Sequence, residues 1–107
     1  EDTIDKVTSV SGSGPAYFFL LANYLVEASG KLALGEKESR RLVEKTFSAS
    51  ALLAQNVDYS FLIEKIASKG GTTEAALKIF KKKNFDKNVS EAVSAAYQRA
   101  KEISHKK

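Results

Sequence analysis

With 107 residues, the chain is long enough for one domain with its own core. It has no cysteine, which excludes disulfides and thiolate metal sites. Its 17 basic and 13 acidic side chains give a net charge of only +4, spread along the sequence, which argues against a dedicated nucleic-acid-binding protein.

The N-terminal part of the chain is expected to lead into a first helix. Residues 1–10 are mixed in character and suit an extended segment, and the serines, glycines and proline of residues 11–15 are expected to interrupt regular structure. Pro15 suits the first turn of a helix, where its missing N–H has no partner to lose. Ser13 or Gly14 would cap that helix.

The first predicted helix, residues 16–32, is apolar around nearly its whole circumference. Such a helix is normally buried on several sides. In a chain this small, that burial requires a partner subunit, so we expect a dimer. The helix is too short, and too interrupted by Asn23, Glu27 and Lys31, to span a bilayer.

Four more helices are expected in the rest of the chain. Apolar or small residues repeat at helical spacing in residues 36–56 and 61–67, with a turn at residues 57–60 between them. A further helix begins after Thr72 and ends in three lysines, and the last one runs from residue 85 to the C-terminus. No stretch alternates long enough to predict a strand. The predicted fold class is therefore all-α, with about five helices.

A glycine-rich turn before the fourth helix is the best candidate for a binding site. Gly70 and Gly71 permit a sharp bend, and Thr72 and Thr73 can cap the helix that follows. The first N–H groups of that helix have no partner within it, and the helix dipole adds positive potential. The turn is therefore suited to a small anion, although an ordinary capped helix explains the same pattern.

Other common chemistry is not visible in the sequence. Gly12 and Gly14 do not form a dinucleotide fingerprint, because its third glycine would fall at Tyr17. There is no Ser-His-Asp set and no metal-ligand cluster, and the single histidine, His105, lies in a lysine-flanked tail. Hydroxyls and amides can orient a ligand but cannot supply electrons. Any redox reaction here would need a hydride from elsewhere.

Two segments, Thr8–Tyr17 and Ser68–Thr73, together resemble the C-terminal domain of the pyrroline-5-carboxylate reductases, and the resemblance covers essentially the whole chain. It implies an all-α, intertwined dimerisation domain similar to the C-terminal domain of 6-phosphogluconate dehydrogenase. It also implies an oxidoreductase of proline biosynthesis, with NADPH or NADH bound mainly by an N-terminal Rossmann domain absent from this chain. The isolated chain is then expected to bind no cofactor and to be inactive.

The resemblance also implies roles for particular residues. The second motif would bind the carboxylate of pyrroline-5-carboxylate, and Thr73 would hydrogen-bond the ring nitrogen as the catalytic residue. Lys69 stands where the family often has proline. The matching substrate-binding positions are Ser68, Gly70, Gly71, Thr72 and Thr73, and the residues expected near the nicotinamide and substrate are Thr8, Ser11, Gly12, Ser13, Gly14 and Pro15.

Two other interpretations remain open. One is a stand-alone helical interaction module that uses its lysines to bind an acidic partner or nucleic acid. The other is a paralogous reductase domain acting on another small imino acid. The preferred interpretation predicts a homodimer, possibly a higher oligomer, in the cytoplasm, with a small-molecule substrate and no metal, nucleic-acid or membrane partner. Because the sequence begins at Glu1, we expect an excised domain.

Overall fold

The computed structural model describes residues 2–67 and 71–105, and this part of the chain is helical apart from short turns. No strand occurs in these ranges, which confirms the all-α prediction, and the five predicted helices correspond to α2–α6. The elements are, in order, α1 (Asp2–Val7), a π-helix (Thr8–Gly12), α2 (Gly14–Gly30), α3 (Glu36–Leu53), α4 (Tyr59–Ala67), α5 (Gly71–Lys82) and α6 (Phe85–His105).

The predicted extended lead-in was wrong. Asp2–Val7 is α-helical and Thr8–Gly12 is π-helical, so regular structure continues to within one residue of α2. The expected interruption at residues 11–15 was therefore also wrong, except at the turn residue Ser13. The reason is tertiary, because the segment packs against α6, which is distant in sequence. Such packing overrides weak local preferences.

The turn predicted at residues 57–60 lies earlier, at residues 54–58, because α3 ends at Leu53 rather than at residue 56 and α4 begins at Tyr59. Asp58 caps this helix. Its carboxylate accepts a hydrogen bond from the backbone N–H of Phe61 at 3.0 Å. An aspartate in this position satisfies one of the N–H groups that a helix start leaves without a partner.

The chain divides into two units. The first comprises residues 1–17 and 75–107. Within it, α6 packs against both α1 and the π-helix, which also contact each other. The Ser104 hydroxyl donates to the Asp5 carboxylate at 3.1 Å, and the Tyr97 hydroxyl donates to Asp2. These two hydrogen bonds tie the first helix of the chain to the last one.

The second unit comprises residues 18–74. Phe47 of α3 contacts Phe18 and Phe19 of α2, with both ring-centroid distances at 6.4 Å. At the end of α2, the Ala33 N–H donates to the Gly30 carbonyl and the Leu34 N–H donates to the Ser29 carbonyl. This is the Schellman pattern, and Ala33 has the left-handed φ of 69° that the pattern requires.

No hydrophobic side chain of the described residues is buried. The buried polar residues are Asp5, Ser9 and Ser39. Phe18 and Phe19 are each 62% exposed although they lie on the most apolar helix of the chain. Fully burying a side chain of this size contributes about 1.5–3 kcal/mol. The apolar core expected for a chain of this length is therefore not formed by the described residues alone.

Candidate functional site

The first predicted site segment, residues 8–15, forms the π-helix and the start of α2. The Ser13 N–H donates to the Thr8 carbonyl at 2.9 Å, a bond that spans five residues and is typical of a π-turn. Gly14 is buried and Ser13 is half-buried. The remaining predicted site residues of the segment are exposed: Thr8, Ser11, Gly12 and Pro15.

Two hydroxyls of this segment, those of Ser9 and Ser11, donate hydrogen bonds to backbone carbonyls. Ser11 Oγ donates to the Val7 carbonyl at 3.0 Å, so its oxygen lone pairs, rather than its proton, are left for a ligand. Ser9, which is only 3% exposed, donates to the Lys6 carbonyl at 2.7 Å. The turn that carries the exposed Ser11 is thus anchored by the hydrogen bond of the buried Ser9.

The glycines of the first motif leave open space. A methyl group added at Gly14 would meet nothing within 4 Å, and one added at Gly12 would only reach ordinary contact, 3.5 Å, with the Thr8 methyl. The chain's own packing therefore does not require glycine at either position. Gly12 is exposed, and a residue without a side chain lets an outside group approach its backbone closely, whereas Gly14 is buried.

The second predicted site segment is described from Gly71 onwards, and Ser68, Lys69 and Gly70 lie outside the described residues. Gly71 is the first residue of the 12-residue helix α5 and, like Thr72, is exposed, whereas Thr73 is half-buried. Gly71 does not have a positive φ, so the described part of the motif does not use the conformational freedom expected of it. A methyl group added there would meet open space.

The charges of α5 complement its helix dipole. Glu74 in the first turn is exposed, and Lys81 and Lys82 occupy the last turn, where cations complement the helix dipole. The lysines are therefore explained by the helix end itself. The two predicted site segments, residues 8–15 and 71–73, belong to different units of the chain.

Sequence reasoning missed a polar cluster that joins α1 to α6. Hydrogen bonds from the Tyr97 hydroxyl and then Lys6 lower the pKa of Asp2 below its usual value. The hydrogen bond to Asp2, and then desolvation, raise the pKa of Tyr97. The partners lie 95 residues apart, so no local sequence signal could have paired them.

Tyr17 was also missed as a functional residue. It ends the first segment that resembles the family, but sequence reasoning assigned it no role of its own. Its hydroxyl donates to the Ser9 carbonyl at 2.7 Å. The eight-residue separation crosses the π-helix, whose presence the sequence did not predict.

Neither a metal site nor a membrane span is found in the described part of the chain. No group of three or more His, Cys, Asp or Glu side chains could hold a metal ion among those residues. None of the helices in residues 2–67 and 71–105 is long and apolar enough to cross a membrane.

These features define a helical domain with a large exposed apolar surface, whose candidate site residues lie at two helix starts. The family model for pyrroline-5-carboxylate reductase dimerisation matches residues 1–103. The chain therefore belongs to the pyrroline-5-carboxylate reductase dimerisation family, as the sequence motifs predicted. The family's name indicates self-association.

Individual relatives agree with this family. The chain is 43% identical over 105 residues to the pyrroline-5-carboxylate reductase of Pseudomonas aeruginosa, covering 96% of the chain and 38% of that enzyme. It is 37% identical over 106 residues to the Haemophilus influenzae enzyme, covering 96% and 39%. The chain thus spans about two-fifths of the length of these curated relatives.

Solved structures show the same similarity. The fold matches a pyrroline-5-carboxylate reductase from Coxiella burnetii with a TM-score of 0.88 and 38% identity, covering 96% of this chain and 39% of that one. It matches the Plasmodium falciparum pyrroline carboxylate reductase, solved with NADP bound, with a TM-score of 0.88 and 33% identity. That match covers 96% of this chain and 40% of the Plasmodium chain.

Proposed function

We propose that this chain is the dimerisation and substrate-binding part of a cytoplasmic pyrroline-5-carboxylate reductase, which reduces pyrroline-5-carboxylate to proline with NADPH or NADH. The observation that carries the proposal is the start of α5, where exposed Gly71 and Thr72 precede the half-buried Thr73 on a 12-residue helix. The family to which the chain belongs supports the proposed substrate class.

The start of α5 is suited to the substrate's carboxylate. Unpartnered N–H groups at a helix start attract an anion, with a dipole contribution of about 0.3–1 kcal/mol at an exposed end. Because that contribution is small, amide and hydroxyl hydrogen bonds must share the binding. Thr72 is exposed at this end and adds a hydroxyl. Ser68 and Gly70 belong to the same proposal through the sequence motif.

Thr73 is the residue to which we assign a chemical role. Reduction of the C=N bond places hydride on carbon, while the nitrogen gains a proton from solvent or keeps the one that it already carries. A hydroxyl within hydrogen-bond reach of the nitrogen can hold it in place or relay that proton. The nicotinamide supplies the hydride when it is bound, and we assign the turn formed by residues 8–15 to contact with the ring and the substrate. Orientation of the reacting atoms lowers the barrier.

The uncovered apolar surface supports a homodimer, possibly part of a higher oligomer. Helix α2 is apolar on nearly all sides, yet Phe18, Leu20 and Tyr24 are each more than half exposed. We propose that a second copy of the chain covers this helix. Intertwined helices would build the apolar core that the described residues of one chain lack.

The test uses the full-length polypeptide that carries this chain, with Thr73→Val as the variant. Valine keeps the shape but removes the hydroxyl, so kcat is expected to fall by about 100-fold, in the range of a lost acid–base contact. Thr73→Ser keeps the hydroxyl and is expected to retain most of the activity. The matched control is Thr46→Val, the same change on α3, where the hydroxyl donates to the Leu42 carbonyl.

Each outcome has a distinct meaning. Wild-type protein that fails to reduce pyrroline-5-carboxylate overturns the proposed activity. Wild-type turnover with unchanged kcat in Thr73→Val removes the chemical role from Thr73 but keeps the activity. The isolated chain is expected to dimerise without oxidising NADPH, and turnover by that chain alone would contradict hydride delivery from another domain.

A further inference from the structure

The hydrogen bond between Tyr17 and Ser9 connects α2 to the π-helix in front of it. The Tyr17 hydroxyl donates to the Ser9 carbonyl at 2.7 Å, and the ring of Tyr17 is half-buried. Ser9 itself is 3% exposed, and its side chain donates to the Lys6 carbonyl. Hydrogen bonds therefore restrain both the backbone carbonyl and the side chain of Ser9.

A π-turn needs this kind of support. Its i→i+5 bonding is rare, and such turns occur mostly as single, locally stabilised features. Here the backbone bond from Ser13 to Thr8 closes the turn at 2.9 Å. The Ser9 carbonyl lies inside that closed segment, so the phenol of Tyr17 restrains the middle of the turn while the backbone bond restrains its ends.

The exposed residues of the turn depend on this restraint. Thr8 precedes Ser9 directly, and Ser11 and Gly12 follow it within three residues. All three are exposed, whereas Ser9 is buried. A shift of the Ser9 backbone would therefore move the surface that a ligand meets. Displacements of about 1 Å are enough to reduce a reaction rate by up to about 100-fold.

We propose that Tyr17 is a positioning residue of the reductase: by holding the Ser9 carbonyl, its hydroxyl sets the π-turn that carries Thr8, Ser11 and Gly12 against the substrate and the nicotinamide. This inference rests on the proposed function. It assigns Tyr17 no contact with the reacting atoms. The carboxylate is assigned to the start of α5, so Tyr17 acts on orientation during hydride transfer rather than on substrate capture.

The test compares Tyr17→Phe with wild type in the full-length polypeptide that carries this chain. Phenylalanine keeps the ring and its packing, so the variant is expected to fold. The kcat is expected to fall by about 10-fold, with the KM for pyrroline-5-carboxylate changed by less than about threefold. The matched control is Tyr59→Phe, since the Tyr59 side chain at the start of α4 is 71% exposed. Its kcat is expected to equal that of wild type.

Two further measurements separate positioning from a loss of folded protein. The primary deuterium isotope effect on kcat, measured with nicotinamide deuterated at the transferred position, is expected to rise in Tyr17→Phe as hydride transfer becomes slower. A smaller folded fraction would lower kcat and leave the isotope effect unchanged. Hydrogen exchange of peptides covering residues 8–13 is expected to be faster in Tyr17→Phe than in wild type.

Failure of the inference differs from failure of the proposed function. A wild-type protein that does not reduce pyrroline-5-carboxylate overturns both. A wild-type enzyme that turns over, with kcat and the isotope effect both unchanged in Tyr17→Phe, overturns only the positioning role. A fall in kcat with unchanged isotope effect and unchanged hydrogen exchange also overturns it, since the loss is then one of active protein.

Discussion

The uncovered surface of α2 makes a quantitative prediction about self-association. Leu20 is 52% exposed on this helix. Full burial of a leucine contributes about 1.5–3 kcal/mol, so covering the exposed half contributes about 0.8–1.6 kcal/mol. A two-fold symmetric dimer contains the residue twice, which doubles the contribution to about 1.6–3 kcal/mol.

Leu20→Asp removes this contribution and adds the desolvation of a carboxylate. At 1.4 kcal/mol per factor of ten, the apolar loss alone predicts a dimer Kd raised by about 10- to 200-fold. The buried charge increases that effect. Leu20→Met conserves volume and apolar character and is the matched control, expected to stay within about 10-fold of wild type.

Sedimentation equilibrium from nanomolar to micromolar protein measures the association directly. Circular dichroism at the same concentrations reports whether helicity is lost as the dimer dissociates, as expected when a protomer depends on its partner for a core. A wild-type chain that sediments as a monomer at micromolar concentration would refute the reasoning. So would a Kd for Leu20→Asp equal to that of Leu20→Met.

Two stability predictions follow from the helix ends and the polar cluster. Ala33→Gly is expected to raise the free energy of unfolding by about 0.5–1 kcal/mol, because glycine accepts the φ of 69° without strain. Ala49→Gly inside α3 is the control and is expected to lower the free energy of unfolding by about 1 kcal/mol. Urea unfolding measures both changes, and two changes of the same sign would contradict the argument. Asp2→Asn is expected to destabilise the protein at pH 7 but not in strong acid. The pKa of Asp2 is lower in the folded protein than its usual value of 3.8. The ionised carboxylate therefore stabilises the fold above pH 3.8, and this stabilisation is lost as the pH falls through the pKa of the folded state. Urea midpoints of wild type and Asp2→Asn at neutral and acid pH test this, and a constant difference would contradict it.

The sequence predicted most of the helices because their signals are local. Helical spacing of apolar residues identified α3 and α6, and the glycine–threonine pair marked the start of α5 to within one or two residues. The prediction of an extended segment at residues 1–10 was wrong because the contacts that stabilise helix there are distant in sequence. Asp2 and Asp5 find their partners on α6, 95 and 99 residues away, and no window of sequence contains both sides of those contacts.

The candidate site was predicted as a set of residues but not as a geometry. The two motifs identified the family, and the family model agrees over residues 1–103. No residue pattern in the sequence indicates a π-turn, so the hydrogen bond from Tyr17 that restrains Ser9 was not predicted. Motif recognition therefore proposed the positions of the site residues, whereas only the three-dimensional structure showed the hydrogen bond from Tyr17 that restrains Ser9.

The proposed site residues and the exposed apolar residues lie close together on α2, and this affects how the activity of variants must be interpreted. On α2, the residues assigned to the site end at Pro15, and the large exposed apolar side chains begin at Phe18, three residues later on the same helix. A substitution that dissociates the dimer therefore removes support from a helix whose start belongs to the proposed site, and it can lower activity without touching any chemical group. A loss of turnover identifies Thr73 or Tyr17 as a functional residue only when it is measured at a concentration where the variant is still a dimer. The conservative changes Thr73→Val and Tyr17→Phe are expected to meet that condition, because neither removes apolar volume from α2.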